Sequence, residues 1–168
     1  NCLIMPVYHT ASYEFDNADD MADAFCGRTD APDYSRVMNP TVTFFENKVK
    51  ELTGAAEVIA LNSGMAAISN TLFSIAAAGK NIVTSRHLFG NTYSFIAGTL
   101  SRFGVEPRLC DLTDIGAVEK VVDSNTCCIY VEIITNPQME VADLQALSRI
   151  VQERGIPSID EPRRIPIT

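Results

Sequence analysis

The sequence predicts an α/β fold with a largely parallel sheet, and three observations carry that prediction. From residue 58 onward, short apolar runs alternate with helical patterns. Glycines stand at the joints between them, at Gly79, Gly104 and Gly155. Alternation of this kind makes strand–helix–strand crossover units, which set the strands parallel and cover both faces of the sheet. At 168 residues, 46% hydrophobic and 20% charged, the chain is long enough for one packed core and too short for two sizeable domains.

Residues 1–38 show no sustained period and are rich in Asp, Asn, Tyr and Pro, so they read as an extended arm with one short helix near Ala18–Phe25. Regularity begins at Asn39. Asn39 can cap a helix, Pro40 suits its first position, Phe45, Val49 and Leu52 recur on one face, and Gly54 ends it. Strands are expected at Val58–Leu61, Ile82–Thr84, Val105–Leu109, Cys128–Glu132 and Ile156–Ile159. Helices are expected at 64–78, 91–103, 114–123 and 142–154. Residues 39–168 thus read as one α/β domain, with no internal repeat and no linker.

Several function classes are excluded by charge and hydropathy. With 13 basic against 21 acidic residues, the formal charge of −8 opposes contact with a phosphate backbone, so no nucleic-acid partner is expected. The longest apolar stretch, Ile68 to Ala78, is interrupted by Ser, Asn and Thr and falls short of the roughly 18 residues that span a membrane. Residues 1–6 carry no basic segment ahead of an apolar run, so a signal peptide is not expected and the cytoplasm is the expected location. The five cysteines, Cys2, Cys26, Cys110, Cys127 and Cys128, are odd in number and show no C-x-x-C spacing, so reduced, buried thiols are expected rather than disulfides or metal ligands.

In an open parallel sheet, ligands gather at the carboxyl ends of the strands. The first unusual junction, Asn62-Ser63-Gly64-Met65-Ala66-Ala67, follows the strand expected to end at Leu61. Its small residues and free helix-opening amides suit a phosphate, and an ordinary Ser-capped helix would read the same way. No G-x-G-x-x-G or G-x-x-x-x-G-K-[ST] is present, so dinucleotide and P-loop readings lose their defining residues. The second junction runs from Arg86 to Tyr93, where Phe89 beside Gly90 can stack on a flat ring or can simply be core, and His87 alone says little. The third, Glu132-Ile133-Ile134-Thr135-Asn136-Pro137, offers a carboxylate and an amide side chain, or merely an Asn-Pro turn. The fourth, Ser158-Ile159-Asp160-Glu161, places acids where they can pair with a protonated ring nitrogen or cap a strand at the surface.

Taken together, the junctions resemble the Cys/Met-metabolism (trans-sulfuration) family of pyridoxal-phosphate (PLP) enzymes. The likeness runs from Pro6 to about Asp160. It rests on Pro6-Val7-Tyr8-His9-Thr10-Ala11-Ser12-Tyr13, on Tyr34-Ser35-Arg36-Val37-Met38-Asn39-Pro40-Thr41, on Ser63-Gly64-Met65-Ala66-Ala67 and on Glu132 through Pro137. The resemblance implies an aspartate-aminotransferase-like (type I PLP) large domain, incomplete at the C-terminus, in intimate dimers paired into tetramers. It implies that Tyr34 and Arg36 reach into a neighbouring subunit to bind its PLP phosphate, and that the Ser63-Gly64-Met65 turn holds the phosphate within the same subunit. Position 89, normally a Tyr stacked on the pyridine ring, is Phe89 here, so stacking is kept and the hydroxyl is lost. Glu132 and Asn136 match residues around the ring and its 3-hydroxyl, and Asp160 matches the partner of the ring nitrogen.

Within the family, methionine γ-lyases often carry Cys after the aromatic-Gly pair, where this chain has Asn91. The wording Leu88-Phe89-Gly90-Asn91-Thr92 and Ile134-Thr135-Asn136-Pro137-Gln138 is more similar to the O-acetylhomoserine sulfhydrylase branch. The implied reaction is loss of acetate from O-acetylhomoserine and addition of sulfide or a thiol at the γ-carbon. The alternatives are a PLP-dependent C–S lyase of methionine γ-lyase or cystathionine lyase type, and a non-catalytic α/β module that binds a phosphorylated ligand at Gly64.

The chain also departs from the family pattern. The Schiff-base lysine is expected in a Ser-x-Thr-Lys segment, and Lys48, Lys50, Lys80 and Lys120 lie in no such segment. The substrate-binding C-terminal domain is absent as well, so the chain by itself is expected to be inactive. Counted without gaps from Asn136-Pro137, the ring-nitrogen carboxylate falls on Glu161, after which the tail Pro162 to Thr168 leaves the family wording. A single-base deletion in an Asp codon at position 161 would cover both departures, with a deliberate fragment or a misread tail as the alternatives.

Overall fold

A computed structural model describes residues 3–161. Cys2 and the tail 162–168, on which the expected frame change bears, lie outside the described residues. The chain divides into two compact units, Asn1–Asn62 and Ser63–Thr168.

The first unit holds two helices. α1 (Ala18–Phe25) starts where the Asn17 side chain accepts the Asp20 amide at 2.8 Å, with Asp19 and Asp20 in the first turn, where the helix dipole favours negative charge. α2 (Pro40–Thr53) is capped by Asn39, which accepts the Thr41 amide at 2.9 Å, and it ends at Gly54, whose φ of 68° is the left-handed geometry that a side chain would strain. The arm folds back on the start of α2. The Tyr8 amide donates to Thr41 Oγ1 at 2.8 Å, Asn39 Nδ2 donates to the Tyr8 carbonyl at 3.1 Å, and Ser12 pairs with Tyr34 in an antiparallel bridge.

α2 forms as expected, and one expectation, a strand after it, needs correction. α2 has no buried residue, and Phe45 and Leu52 of its apolar stripe are 56% and 86% exposed. The expected strand at Val58–Leu61 does not form. Among the described residues no strand pairs with it, and the Ala60 amide donates instead to Glu46 Oε1 at 2.7 Å. An apolar run becomes a strand only when a neighbour accepts its ladder of hydrogen bonds.

The second unit is a four-stranded parallel sheet in the order β2-β1-β3-β4, with β1 Asn81–Ser85, β2 Glu106–Cys110, β3 Thr126–Glu132 and β4 Ser158–Glu161. The helices are α3 (Gly64–Ile75), α4 (Gly90–Tyr93, continuing as a π-helical segment Ser94–Leu100), α5 (Ile115–Val121) and α6 (Leu144–Arg154). Period-two alternation sorts the strands onto two faces. Ile82, Cys128 and Tyr130 pack with Ile68 and Leu72 of α3 and with Ile96 and Leu100 of the π-helical segment. Val83, Ile129 and Val131 pack with Val118 of α5 and with Leu147, Ile150 and Val151 of α6. Each fully buried Ile or Leu in these layers contributes about 1.5–3 kcal/mol. The sheet is covered on both faces, as the sequence predicts.

Candidate functional site

Because all the strands are parallel, the exits of β1 and β3 and the end of β4 lie at one edge of the sheet. α3 comes to the same edge, since Thr92 Oγ1, in α4, contacts Met65 Sδ at 3.9 Å.

The helix start itself is built locally. Ser63 is extended, its Oγ accepts the Ala66 amide at 3.1 Å, and its carbonyl accepts the Ala67 amide at 3.0 Å. Among the described residues, the Gly64 and Met65 amides have no hydrogen-bond partner, as expected for the first positions of a helix. A Cβ built on Gly64 would meet nothing within 4 Å, so no neighbouring atom crowds the glycine that opens the helix. Open amides plus the positive end of a helix dipole suit a phosphate dianion.

Phe89 closes the turn after β1. Its amide donates to Glu132 Oε1 at 2.8 Å and its carbonyl starts α4 by accepting the Tyr93 amide at 2.9 Å, while its ring stays 45% exposed. Glu132, at the end of β3, is 1% exposed. The buried carboxylate therefore holds the backbone that presents the aromatic face. Sequence reading names both residues, but not the bond between them.

After β3 the chain makes a pinched loop. Ile134 bridges Val141, the Thr135 amide donates to the Glu140 carbonyl at 3.0 Å, and the Glu140 amide donates to Thr135 Oγ1 at 3.0 Å. The exposed tip carries Asn136, with a cis Asn136–Pro137 bond, and Met139 has a φ of 59°. Glu140 Oε2 lies 2.8 Å from His87 Nδ1. Neither residue of this pair has a sequence signal that links it to the other.

On β4, Asp160 lies in register with Val131, and Glu161 with Glu132. Desolvation raises the carboxyl of the largely exposed Asp160. Tyr34 and Arg36 belong to the first unit, where the Arg36 guanidinium sits 4.8 Å from the centre of the Tyr34 ring. Cys110 and Cys128 are buried and Cys127 partly so, but Cys26, expected buried, is exposed just beyond the end of α1. Burial pushes the Cys110 thiol up to about 11. Among the described residues, no group of His, Cys, Asp and Glu is placed to hold a metal ion, and no helix is long and apolar enough to cross a membrane.

An open pair of amides, an aromatic face fixed beside them and carboxylates at a strand end fit a phosphorylated heteroaromatic ring. The family model for Cys/Met metabolism PLP-dependent enzymes matches residues 1–161. The chain belongs to this family. Its members use pyridoxal 5'-phosphate, and a Campylobacter jejuni relative solved with pyridoxyl-lysine phosphate superposes with a TM-score of 0.88 at 35% identity, covering 94% of this chain and 39% of that one. An O-acetylhomoserine sulfhydrylase from Wolinella succinogenes is 47% identical with a TM-score of 0.74, covering 76% of this chain and 36% of that one. An L-methionine gamma-lyase from Fusobacterium nucleatum is 38% identical over 148 residues, which is 88% of this chain and 38% of the relative. The chain thus spans well under half the length of such relatives. The neighbours are type I PLP enzymes, which establishes the fold class expected from the resemblance.

Proposed function

We propose that this chain is the cofactor-binding part of an enzyme that exchanges the γ-substituent of O-acetylhomoserine for sulfide or a thiol, working in the cytoplasm as a homotetramer. The observation that carries the cofactor part of this reading is the cradle at the sheet edge, where the open Gly64 and Met65 amides stand beside the Phe89 turn that Glu132 pins. Similarity to the sulfhydrylase of Wolinella succinogenes, together with Asn91 after Gly90, favours γ-substitution.

In this reading the Ser63-Gly64-Met65 turn binds the phosphate, and Tyr34 and Arg36 add contacts to the phosphate of a neighbouring subunit. When bound, PLP supplies an electron sink that stabilises negative charge on the substrate carbons. Phe89 stacks on the ring and, lacking a hydroxyl, moves no proton. Glu132 fixes the Phe89 backbone. Asn136 hydrogen-bonds the ring's 3-oxygen, and the end of β4 at Asp160 provides the carboxylate toward the ring nitrogen.

The test is to supply the protein carrying this chain with PLP, O-acetylhomoserine and sulfide and to measure homocysteine and acetate. Both products are expected in equal amounts. A second reading, C–S lysis, draws on the similarity to the methionine gamma-lyase. Methanethiol released from methionine, with no acetate released from O-acetylhomoserine, would establish that reading instead.

A further inference from the structure

The turn after β1 is tied once to the end of β3 and once to the loop that follows it. One tie is the Phe89 amide on Glu132; the other joins the His87 and Glu140 side chains at 2.8 Å, 53 residues apart in sequence. The His87 end is fixed, because its own amide donates to the Oγ of buried Ser85 at 2.9 Å and the next residue, Leu88, is buried. The Glu140 end belongs to the loop whose rungs are Thr135 to Glu140 and Ala142 to the Ile133 carbonyl, the latter at 3.1 Å. At the centre of that loop Met139 keeps a left-handed φ of 59°, a conformation that costs a non-glycine residue energy and persists only where its surroundings enforce it. His87 also acts on Asp111 at the exit of β2, whose carboxyl is lowered first by hydrogen bonds from Thr113 and to a lesser degree by His87.

We propose that His87 and Glu140 form a positioning clasp that anchors the 133–142 loop to the Phe89 turn, so that Asn136 and the Phe89 ring keep a fixed relation. The role toward Asn136 rests on the cofactor reading above; the anchoring of the loop does not. Both side chains are partly exposed, 42% and 37%, so each is accessible to solvent and the pair tunes the loop rather than holding the fold.

The experiment compares the protein carrying this chain with its H87A, E140Q and swapped double H87E/E140H variants. Hydrogen–deuterium exchange is read at the Thr135, Met139, Glu140 and Ala142 amides, and PLP binding is followed by absorbance titration. In H87A the loop amides are expected to exchange about twofold to fivefold faster, the range an exposed ion pair supplies. Amides of β3 and α6 should be unchanged, which also verifies folding. PLP affinity should fall by a similar factor, and the swap should recover both. Unchanged loop exchange in H87A and E140Q overturns the clasp. Faster exchange with undiminished PLP affinity reduces the pair to a structural contact and overturns its positioning role. A wild-type protein that takes up no PLP overturns the cofactor reading and the role toward Asn136, while the exchange data still decide the anchoring.

Discussion

The two ends of the sheet carry polar clusters of opposite character. At the amino end, Asn81 is fully buried and saturated: Nδ2 donates to Asp123 Oδ1 at 2.9 Å, and Oδ1 accepts from Thr126 Oγ1 at 2.8 Å. Asp123 Oδ2 lies 2.7 Å from Arg108 Nη1, which also donates to the Val121 carbonyl at 2.7 Å. At the carboxyl end the Gly64 and Met65 amides donate to no acceptor among the described residues, and Phe89 and Asn136 are left accessible. One network closes on itself and holds strands together. The other leaves two amides unpaired, and an aromatic ring and the Asp160 carboxylate exposed, which is how a polar cluster is arranged when a ligand is to complete it.

Breaking the one group that serves both purposes should have the largest effect. Glu132→Ala removes a buried carboxylate from the part-buried Phe89 amide and should cost about 2 kcal/mol in stability, since that hydrogen bond to a charged acceptor is lost. PLP affinity should fall more than tenfold with it. Glu132→Gln, which keeps a carbonyl acceptor, should retain most of both. Urea unfolding and PLP titration measure the two effects, and a loss of affinity with unchanged stability would separate Glu132 from its role in holding the turn.

Next in size, Asn81→Ala leaves Asp123 and Thr126 short of a partner and should cost about 2 kcal/mol by urea unfolding. PLP affinity should not change, because Asn81 lies at the opposite end of the strands from the proposed site. Weakened PLP binding in this variant would break the contrast between the two ends. Phe89→Ala should do the reverse, lowering affinity about twofold to tenfold through lost stacking and moving stability by less than about 0.5 kcal/mol.

How much of this was legible in the sequence follows from the distance over which each feature is built. The helix start at Gly64 and the caps at Asn39 and Gly54 depend on a few consecutive residues, and they stand where the pattern places them. Phe89 and Glu132 were identified singly, but 43 residues separate them, and no period or motif encodes their bond. The His87–Glu140 pair and the Asn81–Asp123 network were invisible for the same reason. At Val58–Leu61 the apolar run is plain in the sequence but no strand forms, because strand formation depends on a partner that local sequence does not name. On β4 the register sets Val131 beside Asp160 and Glu132 beside Glu161, a distinction that counting along the chain suggests and only strand pairing makes physical.

The smallest expected effect is a difference in acid response between the two ends. The hydrogen bond from Asn81, then the one from Arg108, and then the Asn125 amide hold the Asp123 carboxyl down to about 2, below its unfolded value of about 4. Its contribution is therefore present above pH ~4 and is lost as pH falls toward ~2. Asp160 has the opposite sign. Desolvation raises its folded value, so the ionised form burdens the native state at neutral pH and protonation relieves it. Asp123→Asn should flatten the acid limb of a stability curve measured by urea unfolding between pH 2 and pH 5. Asp160→Asn should raise stability slightly at pH 7 and steepen the net loss on acidification, because the opposing group is gone. If both substitutions shift the curve in the same direction, the closed and open ends of the sheet do not differ in the way their geometry implies.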